Sequence, residues 1–282
     1  QYLSASGYHV LTTNVRGSTG YGKAYSHLDD VDLRMDSVRD LEHAHAWVQS
    51  RLGSGARIAI MGQSYGGFMT LAAITEYPGL WFAAVDVVGI SNFVSFLERT
   101  GPWRRRHRSA EYGSLHHDRE LLERISPIRK VDHIEAPLLV IHGRNDPRVP
   151  LYETEQLVAS LEQRGHPVEM LVFDDEGHGL SKRPNRVEGY AAVVSFLRGI
   201  ADERQPRVRV SGRVHDAERI GEPRARQLDF PEPSAEPPRR MRNFSTGTRA
   251  IRNGSSPPSP PVGAISSPMP VKPSSSSQGR NR

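Results

Sequence analysis

The chain has 282 residues, 37% hydrophobic and 24% charged, with 25 glycines, 21 prolines and no cysteine. This supports one large globular domain or two small ones. It excludes a disulfide framework, thiol chemistry and a cysteine-ligated zinc site.

Charge divides the chain. Residues 1–200 hold 22 Lys/Arg against 24 Asp/Glu, and residues 201–282 hold 15 against 8. The basic excess therefore belongs to the end of the chain, and no nucleic-acid partner is expected for the front part. No run of about 18 apolar residues occurs, so no membrane-spanning helix is expected. The absence of cysteine fits a cytoplasmic chain. The opening QYLSASGYHV contains neither an initiator methionine nor a signal peptide, so it reads as a piece whose own start lies upstream.

The front part alternates strand-like and helix-like stretches. Tyr8–Val15 is a short apolar run after a glycine and is expected as a strand. Val31–Arg51 has helical periodicity, with Leu33, Val38, Leu41, Ala44 and Val48 on one side. Arg57–Met61 is a strand, and Tyr65–Tyr77 a helix that stops before Pro78. Phe82–Val88 and Pro137–His142 are further strands. Leu151–Arg164 is a helix closed by Gly165. Val168–Phe173 is a strand, and Arg186–Ile200 a last amphipathic helix. Such alternation predicts an α/β domain, a mostly parallel sheet with helices on both faces.

Two stretches depart from the rhythm. Residues 92–132 form a long charged and aromatic excursion, expected as a lid or substrate-facing insert. It carries WRRRHR at 103–108, either a solvated face or a cationic rim for a carboxylate-bearing substrate. From residue 202 onward, stretches such as SSPPSPPVGAISSPMPVKPSSSS hold too few large apolar side chains to offset ordering entropy. The expected organisation is a domain over 1–201 and a disordered, linker-like tail over 202–282.

The chemistry centres on Gly62–Gln63–Ser64–Tyr65–Gly66, a G-x-S-x-G sequence between a five-residue strand and a small-residue helix. That context predicts a nucleophile elbow, with Ser64 held at the strand-to-helix turn and the Tyr65 amide facing developing negative charge. A serine hydroxyl needs a base. The expected order is serine, acid, histidine, and Asp146 and His178 each follow a strand on the same sheet edge. Asp174, Asp175 and Glu176 sit too close to His178 to support it and read as loop caps. His142 reads as a packing or supporting residue. His43 and His45 point to different helix faces and make a poor metal pair. No metal site, phosphate loop or cofactor is expected.

Together NVRGSTGYG (14–22), GQSYGGFM (62–69), EYGS (111–114), ISPI (125–128), APLLVIHGRNDPRVP (136–150) and DDEGHGL (174–180) resemble the catalytic domain of the prolyl oligopeptidase family of serine peptidases. The acylaminoacyl-peptidase and dipeptidyl-peptidase-like branch is the most similar. The resemblance covers residues 1 to about 200. It implies an α/β-hydrolase fold that cleaves short peptides through an acyl-enzyme. Ser64 is then the nucleophile, His178 the general base and acid, Asp146 its orienting partner, and the Tyr65 N–H an oxyanion donor. Asn14, Arg16 and Gly17 match a structural loop near the site. Trp103, Phe93 and Phe96 are candidates for the substrate pocket, with core packing the equal alternative. The family's HGGP-type segment, which supplies a second oxyanion donor, the first strands of the sheet and an N-terminal β-propeller are not in this sequence. They are expected in the full-length protein. The competing functions are a serine esterase on the same triad, an inactive fragment lacking a complete oxyanion hole, and a catalytically incompetent domain that acts only by binding.

Overall fold

The computed structural model describes residues 1–203. The expected tail lies, from residue 204 onward, outside the described residues.

Four parallel strands form one sheet: β1 (Ala59–Gln63), β2 (Ala83–Val87), β3 (Leu138–Gly143) and β4 (Val168–Phe173), in that spatial order. Met61 pairs with Val85, Val85 with Leu139, and Ile141 with Leu171. The central strands β2 and β3 are buried along their whole length, as apolar parallel strands covered on both faces must be.

The helices follow from sequential strand order. Right-handed crossovers between neighbouring parallel strands place their connections on one face. That face carries Arg34–Leu52 (α3, after two single turns at Tyr2–Ala5 and Lys23–Ser26, α1 and α2), Tyr65–Glu76 (α4), Phe93–Arg99 (α5), Pro102–Tyr112 (α6), Arg119–Ile125 (α7) and Tyr152–Glu162 (α8). Arg183–Glu203 (α9) covers the other face. Alternation along the strands divides the core accordingly. Ala84, Leu138 and Val140 pack with Phe68, Leu71, Phe93 and Leu157. Ala83, Val85, Leu139 and Ile141 pack with Val193, Phe196 and Leu197. Helix α4 is buried on nearly every side, which explains why its sequence is apolar throughout rather than amphipathic.

Several expectations change. Residues 8–15 form no strand, because no described residue pairs with them in a ladder, and Val10 and Leu11 are half exposed. The inner face of α3 is partly polar: it buries Arg34, Ser37 and His45 beside Val38, while Leu33 is exposed. His45 donates to the Leu80 carbonyl at 2.8 Å, and His43 is exposed. The excursion at 92–132 is built of helices. Its helices α5 and α7 bury Phe93, Phe96, Leu97, Leu121, Leu122 and Ile125 in the core, and α6 is its outer element.

Candidate active site

Strand β1 runs into α4 through one residue, Ser64, with φ 59° and ψ −115°. A non-glycine residue in the left-handed region is strained and persists only where its surroundings fix it. Here the Ser64 amide donates to the Val87 carbonyl at 2.8 Å, and its carbonyl accepts from the Phe68 amide at 3.0 Å. The turn is tight enough that a Cβ on Gly62 would stand 2.0 Å from the Gly66 carbonyl oxygen. Gly66 itself has open space where a Cβ would go. The amide of Tyr65 opens the helix, where no preceding helical carbonyl is available to it.

Asp146 lies in the loop after β3, and its side chain is fully buried. One oxygen accepts the amides of Arg148 at 2.7 Å and Val149 at 3.0 Å. The other accepts Nδ1–H of His178 at 2.6 Å. Burial would raise this carboxyl. The His178 hydrogen bond and the two amides outweigh it and hold Asp146 below the usual carboxylate range. A carboxylate only accepts, so His178 carries its proton on Nδ1 and its Nε2 lone pair faces outward. Ser64 Oγ stands 2.8 Å from that Nε2. Ser64, His178 and Asp146, from three separate loops, thus form one line of hydrogen bonds.

The surrounding loops are pinned. His142 is buried, with Nε2 3.0 Å from the Val149 carbonyl and Nδ1 2.7 Å from the Thr154 hydroxyl. The carbonyl only accepts, so Nε2 holds the proton and Nδ1 receives the Thr154 hydroxyl. Burial lowers the His142 pKa, which keeps the ring neutral beside Asp146. Glu176 accepts from Ser181, Lys182 and Asn185, and these donors, Ser181 foremost, bring its pKa down to about 2. Asp175 pairs with Lys182 at 2.6 Å, and Asp174 pairs with Arg144 at 2.5 Å. None of the three acidic residues touches His178 in the hydrogen-bond pattern of this loop.

Other candidates fall elsewhere. Phe93 and Phe96 do not line a pocket: both are 0% exposed, with their rings edge-on or tilted against Phe68 and Tyr112 in the core, because α5 turns them inward. Trp103 is 73% exposed on α6, with the Arg104 guanidinium over its ring. Arg104 reaches the Pro147 carbonyl, next to Asp146, at 3.5 Å. Tyr25 donates to the Asn14 carbonyl, Arg16 binds Asp40, and a Cβ on Gly17 would strike Asp29 at 2.1 Å. The Arg148 and Val149 amides and the buried Asp29–Arg34 pair had no signal in the sequence pattern. Among the described residues, no group of three His, Asp or Glu side chains is placed to hold a metal, and no helix is long and apolar enough to cross a membrane.

A parallel sheet covered by helices on both faces, with serine at a strand-to-helix elbow, defines an α/β-hydrolase domain. Residues 1–204 match the family model described as the prolyl oligopeptidase family, and the chain belongs to that family. It is 34% identical over 216 residues to Dipeptidyl peptidase family member 6 of Caenorhabditis elegans, covering 73% of this chain and 29% of that protein. It is 35% identical over 203 residues to Dipeptidyl aminopeptidase BIII of Pseudoxanthomonas mexicana, covering 70% and 30%. Among solved structures, a Mycobacterium tuberculosis puromycin-hydrolyzing peptidase superimposes with a TM-score of 0.63 at 34% identity, covering 66% of this chain and 28% of that one. The Pyrococcus horikoshii acylaminoacyl peptidase gives 0.60 at 26% identity, covering 66% and 31%. The chain spans about three tenths of the length of the relatives it matches.

Proposed function

We propose that residues 1–201 are the catalytic domain of a serine peptidase that hydrolyses short peptides through an acyl-enzyme. The observation that carries this reading is the hydrogen-bonded line Ser64–His178–Asp146, at 2.8 and 2.6 Å. In the proposed reaction His178 Nε2 takes the Ser64 hydroxyl proton as Oγ attacks the scissile carbonyl carbon. The carbonyl oxygen becomes an oxyanion and receives the Tyr65 N–H. Asp146 stabilises the imidazolium, which returns its proton to the leaving amine. Water then repeats the sequence on the acyl-enzyme and frees Ser64.

The peptide substrate class rests on the relatives, whose names describe a dipeptidyl aminopeptidase and a puromycin-hydrolyzing peptidase. We further assign a second oxyanion donor to an HGGP-type segment and restricted entry to a β-propeller of the full-length protein, neither of which is in this sequence. Two features of the domain support added chain here. Among the described residues β1 is an edge strand with Met61 40% exposed, and a hollow of about 280 Å³ lined by Met61, Gln63, Val87, Leu180 and Tyr190 adjoins it. Without a second donor, turnover is expected to fall by roughly 10²–10³. The segment from 202 onward is assigned as a linker that the reaction does not use.

The test is hydrolysis of acyl-alanine and aminoacyl nitroanilides by the chain, beside the matching esters, with Ser64→Ala as control. Nitroanilide turnover that Ser64→Ala abolishes is the expected result. Ester turnover without nitroanilide turnover would favour a serine esterase, and no Ser64-dependent turnover would favour a binding role.

A further inference from the structure

The side chain of Tyr65 points away from the reacting groups into a buried polar cluster. Its hydroxyl donates to Asp29 Oδ2 at 2.7 Å. The same oxygen receives Arg34 Nη1 at 2.7 Å, and Arg34 Nη2 donates to the Glu111 carbonyl at 2.8 Å. Arg34 is 0% exposed, and its guanidinium lies 5.0 Å from the centre of the Tyr65 ring and 4.8 Å from that of Tyr112. The Ser37 hydroxyl stands 3.1 Å from the phenol oxygen. Gly17 approaches the carboxylate so closely that a Cβ there would stand 2.1 Å from it.

A buried ion pair is not needed to make a hydrophobic core stable, and apolar replacements often serve as well. What this pair does geometrically is hold one phenol from two sides, one through a hydrogen bond and one through the ring face. That phenol belongs to the residue directly after the strained Ser64. Val87 fixes the elbow on its strand side, through the Ser64 amide. Asp29 and Arg34 fix it on the helix side, through Tyr65. Burial raises the Tyr65 pKa, so the hydroxyl keeps its proton and remains a donor to Asp29.

We propose that Asp29 and Arg34 are positioning residues for the reaction: by clamping the Tyr65 phenol they fix the Tyr65 amide where the oxyanion forms and hold Ser64 in its strained conformation. This rests on the triad reading given above. It assigns a role in rate to residues that touch neither substrate nor the reacting atoms. Loss of the clamp lets the amide wander, so the maximal rate of acylation falls while reagent binding stays the same.

The experiment is saturation kinetics of Ser64 modification by a fluorophosphonate, giving kinact and KI for the 282-residue chain and for Tyr65→Phe, Asp29→Asn and Ser64→Ala. Tyr65→Phe removes one hydroxyl and keeps the ring, so it remains the informative variant if Asp29→Asn does not fold. Thermal denaturation of each variant, with kinetics run well below its midpoint, separates rate from stability. Expected for Tyr65→Phe is a fall in kinact of about five- to tenfold with KI unchanged. A lower melting temperature with unchanged kinact would show a purely structural role and overturn the proposal, while the triad reading would stand. Absence of Ser64-dependent labelling in the unsubstituted chain would overturn both.

Discussion

Asp146 gives its two carboxylate oxygens different tasks: one takes the amides of Arg148 and Val149, and the other takes Nδ1–H of His178 at 2.6 Å. The amides fix which oxygen is left for the histidine, and the histidine tautomer follows from that. Asp146→Asn would keep its oxygen on the two amides and turn its NH₂ toward His178. Nδ1 would then accept, and Nε2 would present a proton to Ser64 instead of a lone pair. The expected outcome is a loss of about 10⁴ in kcat with the fold retained, measured by nitroanilide hydrolysis beside circular dichroism.

The two glycines flanking Ser64 should respond in opposite ways. A methyl group at Gly62 meets the Gly66 carbonyl oxygen at 2.0 Å, while one at Gly66 meets nothing within 4 Å. Gly62→Ala is expected to cost about 3 kcal/mol and to displace the elbow. Gly66→Ala, in the first turn of α4, is expected to stabilise by roughly 0.5–1 kcal/mol through a less flexible unfolded chain. Urea denaturation of both variants checks the pair.

Asp86 gives the stability a pH dependence of its own. It lies on β2 beneath α4, 1% exposed, and among the described residues no side chain donates to its carboxylate. A Cβ on Gly67 would stand 2.3 Å from its Oδ1, which shows how closely the elbow helix is seated on it. Burial pushes its pKa up to about 7, and the neighbouring Gly89 amide offsets this only in part. The folded value lies above the unfolded one, so the folded state binds the proton more tightly. Stability from this group therefore falls as pH rises from about 4 to about 7. Asp86→Asn, which cannot ionise, should gain on the unsubstituted chain between pH 5 and pH 8, by at most about 3 kcal/mol. Urea denaturation at the two pH values measures the gain, and equal differences at both would contradict it.

Much of this was legible in the sequence because it depends on local order. The strands β1 to β4 are short apolar runs bounded by glycine, proline or acidic turns, and their positions came within two residues. The nearness of Ser64, Asp146 and His178 to one another was legible because a parallel sheet puts all its strand ends on one edge. Tyr8–Val15 was misread because a strand exists through its partner, and apolar composition says nothing about whether a partner is there. For Phe93 and Phe96 both a pocket and the core stayed open, because composition cannot tell a pocket wall from a core layer; both lie in the core. Arg34 was missed for a similar reason. An Arg and an Asp five residues apart in a polar stretch look like a solvated surface until α4 is laid over them.

If His178 and Asp146 activate Ser64, the serine reacts only with its base in place. The most direct measurement is mass-spectrometric mapping of fluorophosphonate adducts on the 282-residue chain, beside the His178→Ala variant. One adduct is expected, on Ser64, at a rate at least about a hundredfold above that of His178→Ala. An adduct elsewhere, or equal labelling of Ser64 with and without His178, would contradict it.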